Sequence, residues 1–561
     1  MQRMILSAIM LVALATLLNP SPRAEGSCSL VDTDFKKTVL DSDGVIQPMA
    51  LAPLPDGRVL FMERAGTIKL LKPGVARPLV AVKFNVATTL DDGLLGIVID
   101  PDFANNKWLY IYLDPASKDN VHRLARYTLV GDTISRPSEQ ILLEVPELRY
   151  ACDHNGGTMG FDGQGNLFLS TGDDTDPNRD STKYAPLDER PTMECFDAQK
   201  SASNTNDLRG KILRIHPEPN LVNGKYYTIP TGNLFPEGKA KTRPEIFVMG
   251  TRNPFRITVD TKTGWVLWGE VGPDADDPSP EGDPAGHDEF NVATAAGNFG
   301  WPYFVGDNKA FRHVDFTNRT KAAPFFNVNA PVNSDPRNTG LDTLPPAQPA
   351  TIWYPYAKSP IFQGFDGGGH VAIGALFGGR TAIGGPVYHY DVNLKSTTKF
   401  PPPLDGRWLI AEWSQNWVKA VTLDDKGKLV GIEPLFSTWT WFKPIDMKMG
   451  VNGSLYVAEW GNNWSTNDKS RISRIDYIGT CQATSLADKT LKDPSAPSLL
   501  ALGAAGNGYV DVPAGTARLE LLDLQGKKVW DSGALSEGNY RVTLPNLGRG
   551  LVFGRIVKGL R

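Results

Sequence analysis

The chain is short of cysteine, of unbroken apolar runs and of charge of one sign, and each shortage excludes a class of protein. Four cysteines occur in 561 residues: Cys28, Cys152, Cys195 and Cys481. None has Cys-x-x-Cys spacing, which argues against thiolate metal sites, and no Cys-x-x-Cys-His motif is present to attach a haem. The only long apolar stretch runs from Met4 to Leu18, too short for a comfortable membrane span. Against 62 acidic residues stand 58 basic ones, leaving −4 with no long block of either sign. A nucleic-acid or membrane-surface partner leaves a different footprint, and a small neutral substrate fits better.

The apolar stretch follows Arg3 and precedes the small and polar residues 19–27, the pattern of an export signal. Residues 1–27 are therefore read as a targeting segment, with cleavage after Ala24 plausible. The mature protein is expected to be secreted or periplasmic, or held at the cell surface. An even cysteine count in an exported chain permits disulfides. Pairing Cys152 with Cys195 would pin the irregular loop between them, and Cys28 with Cys481 would join the ends of the main domain. Three pairings are allowed, and free buried thiols are the other reading.

Fifty-five glycines and 43 prolines mark a turn-rich protein, and one unit recurs: an apolar strand, a Gly- or Asn-centred turn, and a second strand with aromatics. It stands at 49–61 and 160–169, more loosely at 96–110, 256–267 and 446–457, and in degraded form around 405–410. Six hairpins with long insertions and almost no amphipathic helix predict an all-β, six-bladed β-propeller over residues 28–482. A β-sandwich would show shorter, more even spacing. Residues 483–507 read as a polar linker, and 508–561 as a small β-sandwich. That tail resembles the C-terminal sorting domains of some bacterial secretion systems; a packing or carbohydrate-binding appendage reads equally well.

Three segments carry the chemistry. His154, in Asp153-His-Asn-Gly-Gly157, offers an imidazole able to take a hydroxyl proton near neutral pH, and the paired glycines leave room for a flat ligand. Gly250-Thr-Arg-Asn-Pro254 offers a fixed cation. Gly269-Glu-Val-Gly-Pro-Asp274 is a turn rich in acceptor oxygens. Base, anion clamp and cation site together suggest oxidation of an alcohol or hemiacetal with a polyanionic cofactor. Arg252 could instead be a blade salt bridge, and Gly272-Pro273 a plain turn. Arg209, Lys211 and Arg214 read as solvated or bridging residues, and Trp301, Trp413 and Trp417 as blade packing, with an aromatic at the mouth able to stack on a sugar.

These motifs come in order with Gly93-Leu-Leu-Gly-Ile97, Ser170-Thr-Gly-Asp173, Leu208-Arg-Gly-Lys-Ile-Leu-Arg214, His287-Asp-Glu-Phe-Asn291 and Asn298-Phe-Gly-Trp-Pro302. In this arrangement the main domain resembles the soluble glucose/sorbosone dehydrogenases, quinoprotein aldose dehydrogenases built as six-bladed propellers. The resemblance implies pyrroloquinoline quinone (PQQ) and calcium as cofactors. It implies Arg252 and Lys443 as cations for the quinone's carboxylates, Asn253 as a neutral donor, and the carbonyls of Gly272 and Pro273 as calcium ligands. His154 would take the proton of the sugar's anomeric hydroxyl as hydride leaves for the quinone, and Asp173 would orient it. Asp288 would touch substrate or base, and Glu289 matches a second, structural calcium site. Electrons would pass to a separate acceptor, a cytochrome or other carrier.

The chain also departs from that family. Where its glucose dehydrogenases carry an amide beside the quinone, Asp91 and Asp92 stand here, and Ile445 replaces a second basic residue near Lys443. The loop 308–356 and the segment 364–370 are expected to shape substrate range. Two further classes share the fold: a calcium-dependent lactonase-like hydrolase, which needs carboxylate and amide side chains converging on the ion, and a non-catalytic binding propeller.

Overall fold

The computed structural model describes residues 30–149, 152–176, 184–280, 282–315, 320–365, 379–462 and 468–481, and beyond them only the strands of a C-terminal segment. The targeting segment, Cys28 and residues 366–370 of the expected cleft segment lie outside the described residues. The chain divides into two compact units, Met1–Ala483 and Thr484–Arg561.

The first unit is a propeller of six antiparallel blades, each entered by its innermost strand. These inner strands are Pro48–Pro53, Leu94–Ile99, Met159–Phe161, Arg256–Val259, Ala382–Val387 and Pro444–Met449. Their hairpin partners are Val59–Glu63, Trp108–Leu113, Leu167–Thr171, Val266–Glu270, Trp408–Glu412 and Leu455–Glu459. Five of these hairpins coincide with the sequence repeats. The fifth blade looked degraded because residues 388–407 separate its two strands, so the repeat at 405–410 marks only the second. The turns are those the sequence calls for: in the first blade Leu54 N donates to Arg58 O at 2.8 Å around Gly57, whose φ of +85° suits a residue without Cβ.

Several second strands are buried at every position and do not alternate, including Val59–Glu63, Val266–Glu270 and Leu455–Glu459. Neighbouring blades cover both faces, so apolar residues pack on each side. Large side chains such as Trp268, Trp408, Tyr110 and Phe61 are fully buried in the core. Lys211 corrects the reading of a solvated strand: it is buried, and its ammonium donates to the carbonyls of Ser201, Ala202 and Arg209. Arg209 does bridge, to Asp174 and Asp207 at 2.6 Å each.

Between Phe304 and Phe325 the expected long loop folds into two short hairpins, and Ile352–Tyr354 returns as the outer strand of the fourth blade. The ring closes where Phe35–Asp41 forms the outermost strand of the last blade against Arg471–Tyr477. Among the described residues the only α-helix is Phe103–Asn106, and none there is long and apolar enough to cross a membrane.

In the second unit one sheet runs Leu499–Leu502, Val552–Lys558, Thr516–Leu522, Lys528–Asp531, and Asn507–Val512 pairs with Gly538–Thr543 in another. The strand Leu499–Leu502 falls inside the stretch read as linker.

Candidate active site

Five blades share a device at one end. A carboxylate closing the second strand accepts backbone N–H from the loop entering the same blade: Glu63 from Ile46, Asp114 from Gly93, Glu270 from Arg252 and Asn253, Glu412 from Thr381, Glu459 from Phe442. In the third blade the equivalent acid is Asp173, and it holds a side chain. Its Oδ1 lies 2.7 Å from Nδ1 of His154 and also accepts from Thr175, while Oδ2 accepts the indole N–H of Trp301 at 2.7 Å. Burial alone would raise the Asp173 carboxyl; His154, with Arg252 and Trp301, overcomes that and holds it below the usual carboxylate range. An ionised carboxylate at Nδ1 fixes the proton there and leaves Nε2 as a lone pair. Nε2 makes no hydrogen bond among the described residues.

The glycines after His154 do a different job from the one expected. A Cβ on Gly157 would sit 2.5 Å from Leu95 Cβ, and one on Gly96 would sit 2.0 Å from the Gly157 carbonyl. Gly157 lets the second and third blades approach, its room taken by the Leu95 and Tyr112 side chains, while a Cβ on Gly156 would sit 3.0 Å from the backbone at Ser170 and Gly172.

A run of hydrogen bonds puts the three motifs on one rim. Asp173 N donates to Arg252 O at 2.8 Å, Gly156 N to Asn253 Oδ1 at 3.2 Å, and Val271 N to Asn253 O at 3.3 Å. Arg252 is buried, its guanidinium donates to Val271 O at 2.9 Å, and it forms no ion pair among the described residues. The blade-salt-bridge reading therefore fails. Lys443 is likewise buried, with its ammonium 4.0 Å over the Trp413 ring and no hydrogen bond or ion pair within the described residues. Burial lowers its pKa against the pull of Glu412.

Gly272 is held from below: its N–H donates to Asp288 Oδ1 at 3.0 Å, while Asp288 Oδ2 accepts from Ala382 N at 3.0 Å. Asp288 thus braces the turn. The Gly272 carbonyl accepts no hydrogen bond among the described residues, whereas the Pro273 carbonyl accepts one from Arg380 at 2.6 Å. Both oxygens of Glu289 take N–H donors, from Gly306 and Asn291, and burial pushes its carboxyl up to about 7. Asp91 is exposed and adjoins Asp153, while Asp92 is buried and accepts from Asn155 Nδ2 at 3.0 Å. Ile445 is buried core.

Cys152 and Cys195 form a disulfide, tying the residue two before His154 to the far end of its loop. Cys481 is disulfide-bonded as well.

The family model for Glucose / Sorbosone dehydrogenase matches residues 45–325, a span that holds His154, Asp173, Arg252 and the Gly272 turn. The chain belongs to this family. It is 27% identical over 374 residues to quinoprotein glucose dehydrogenase B of Acinetobacter calcoaceticus, covering 61% of this chain and 70% of that one. It is 26% identical to aldose sugar dehydrogenase YliI of Escherichia coli K12, over 46% of this chain and 60% of that one. Among solved structures, the apo-form soluble aldose sugar dehydrogenase of Escherichia coli superposes with a TM-score of 0.51 at 19% identity, covering 79% of this chain and 99% of that one; that likeness supports the propeller fold.

Three residues of the rim escaped the sequence reading. Arg380 is buried at the Gly272 turn, 3.8 Å over the Tyr356 ring, with Nε 3.6 Å from Asp288 Oδ1 and neither Nε nor Nη1 in a hydrogen bond among the described residues. It follows a Gly-rich stretch with no spacing to announce it. Asp153, one residue from the base, is pushed up to about 8 by burial and by Asp91 and Asp176. Trp301, read as packing, is an Asp173 donor; the Asn298-Phe-Gly-Trp-Pro302 motif was the available signal.

Proposed function

We propose that this chain oxidises an aldose or related sugar at the anomeric carbon to the lactone, with PQQ as hydride acceptor, calcium as Lewis acid and His154 as base. The relatives' names supply the substrate and cofactor class. The observation that carries the reading is a pair of buried cations in no ion pair among the described residues, Arg252 and Lys443, with Arg380 held only at 3.6 Å by Asp288, at the same end of the ring as an imidazole whose Nε2 is open. Buried uncompensated cations are costly, and a planar tricarboxylate compensates them. For calcium the fit is narrower: the Gly272 carbonyl is open, and the Pro273 carbonyl would be shared with Arg380, so further oxygens must come from cofactor and water.

When bound, PQQ supplies the carbonyl that accepts hydride and calcium polarises it. The chain's own residues do the rest. Nε2 of His154 takes the anomeric hydroxyl proton. The positive charge that develops on the ring faces the Asp173 carboxylate, which Thr175 and Trp301 hold in place. Asn253, through Gly156 N–H, fixes the segment that carries the base.

A lactonase-like hydrolase would need side-chain oxygens converging on the ion; Asp288 is committed to backbone amides and Glu289 to N–H donors, which disfavours it. A binding-only propeller gives no reason for an oriented His154–Asp173 pair. The test is reconstitution of the purified protein with PQQ and calcium, followed by dye reduction with a panel of aldoses. Activity lost in His154→Ala, with quinone binding retained, supports the assignment. Failure to bind quinone, or hydrolysis of lactones, overturns it. Transfer of electrons to a separate carrier and an exported location belong to the same proposal.

A further inference from the structure

The second blade holds a buried polar cluster that the proposed reaction does not use. Trp108–Leu113, Val121–Val130 and Thr133–Pro146 are adjacent strands, with Tyr112 facing Leu124 and His122 facing Val145. Alternation then puts Tyr112, Asp114, His122 and Glu147 together at the strand ends. One ligand atom from each of Asp114, His122 and Glu147 lies within 4.8 Å of the others, and all three residues are buried. His122 Nδ1 contacts Asp114 Oδ1 and lies 3.3 Å from Glu147 Oε2. The His122–Glu147 separation is about what two ligands of one tetrahedral zinc show, given metal–ligand bonds near 2.0 Å, whereas His122 and Asp114 are hydrogen-bonded to each other and must part to admit an ion.

Two independent features point to a missing cation. Tyr112, fully buried with its ring 5.6 Å from the imidazole of His122, has a hydroxyl without any hydrogen-bond partner. Charge is also out of balance. Asp92, Asp114 and Glu147 are three buried carboxylates, and the guanidinium within reach is Arg149, paired with Glu147 and 3.6 Å from Asp92. An imidazolium at His122 offsets one of the two negative charges that Arg149 leaves, and a divalent ion taking the place of its proton cancels both. Calcium is a poor candidate, because it asks for about six to eight oxygens and Gly93 N–H already occupies Asp114 Oδ2. One imidazole, two carboxylates and a phenol suit a smaller first-row ion of the zinc class.

We propose that Asp114, His122 and Glu147 bind a structural divalent transition-metal ion of the zinc class, with Tyr112 hydroxyl adjoining it. The site lies beside the loop that delivers Asp92 to Asn155, the neighbour of His154, so the ion stiffens one wall of the cleft.

The test uses the full chain, saturated with calcium, equilibrated with Zn2+ and freed of loose ions by gel filtration, with metal counted by mass spectrometry. Wild type should retain one equivalent of zinc, and His122→Gln and Glu147→Gln should each lose most of it while keeping the propeller's circular dichroism. Co2+ in place of Zn2+ should give visible d–d bands that His122→Gln abolishes. Less than about a tenth of an equivalent in wild type overturns the proposal even if both variants fail to fold. Retention of a full equivalent by folded variants overturns it too. Neither readout depends on quinone binding or dehydrogenase activity.

Discussion

At the scale of single residues, the tautomer of His154 decides what the site can do. Asp173→Asn keeps the side chain's shape and removes the charge, so the amide can donate to Nδ1 and send the ring proton to Nε2, the wrong side for a base. In the reconstituted enzyme the expected outcome is a fall in kcat of about 10²–10⁴ with quinone affinity little changed, read by dye reduction beside a cofactor titration. A similar loss of quinone binding would mean that Asp173 acts on the cofactor. Asp153 gives a prediction of opposite character. Its pKa is raised to about 8 by burial and by its acidic neighbours Asp91 and Asp176. A carboxyl raised on folding favours the folded state fully at pH below its unfolded value, and that contribution fades as pH climbs to about 8. Wild type should therefore lose thermal stability between about pH 4 and pH 8, and Asp153→Asn, which cannot ionise, should flatten that part of the Tm profile. An unchanged slope in the variant would assign it to other groups.

At the scale of elements, the hairpins were legible in the sequence because each closes within a short Gly- or Asn-centred turn, a local signal. The fifth blade was half hidden, since residues 388–407 part its strands, and so was the strand Ile352–Tyr354 beyond its insertion. His154, Arg252 and Gly272-Pro273 were legible as motifs. Arg380 was not, because only tertiary structure carries it to the Pro273 carbonyl. The recurring acid at the second strand's end could have been found from the repeat alone: Glu63, Asp114, Glu270, Glu412 and Glu459 hold backbone, and Asp173, in the same place, holds the base. The loop between Cys152 and Cys195 makes a prediction at this scale. Their separation of 43 residues implies roughly 4 kcal/mol of loop-closure entropy removed from the unfolded chain. Replacing both by Ser should lower Tm measurably and weaken sugar binding more than quinone binding, because the tether acts on the loop beside the base and Arg252 stands on another blade. Equal weakening of both would mean the tether supports the whole rim.

For the whole propeller, closure is the problem that the chain ends solve. A toroid of six blades is held only if its last blade is completed by the chain's other end; otherwise an edge strand stays open and the first and last blades can part. Here Phe35–Asp41 supplies that strand in register from Phe35↔Tyr477 to Asp41↔Ile472. Its side chains reinforce the ladder. Phe35 packs edge-on against Phe400, Phe436 and Tyr477, and the Lys37 ammonium sits 2.8 Å from Glu459 and 4.0 Å over the Trp441 ring. Glu459 is the sixth blade's copy of the recurring acid, so the closing strand is wired to the same end of the ring as the candidate site. Phe35→Ala removes the apolar anchor, at a cost of about 3–5 kcal/mol for a buried aromatic, and Lys37→Ala removes a mostly buried cation while Glu459 keeps its bonds from Phe442 N and Ser473 Oγ. If closure holds the ring, Phe35→Ala should lower Tm far more than Lys37→Ala. It should also speed proteolysis first within residues 440–480, at the blade left open. Cleavage that begins instead in another blade would show that the ring is held by its inner strands, with the closing strand a late and dispensable cover.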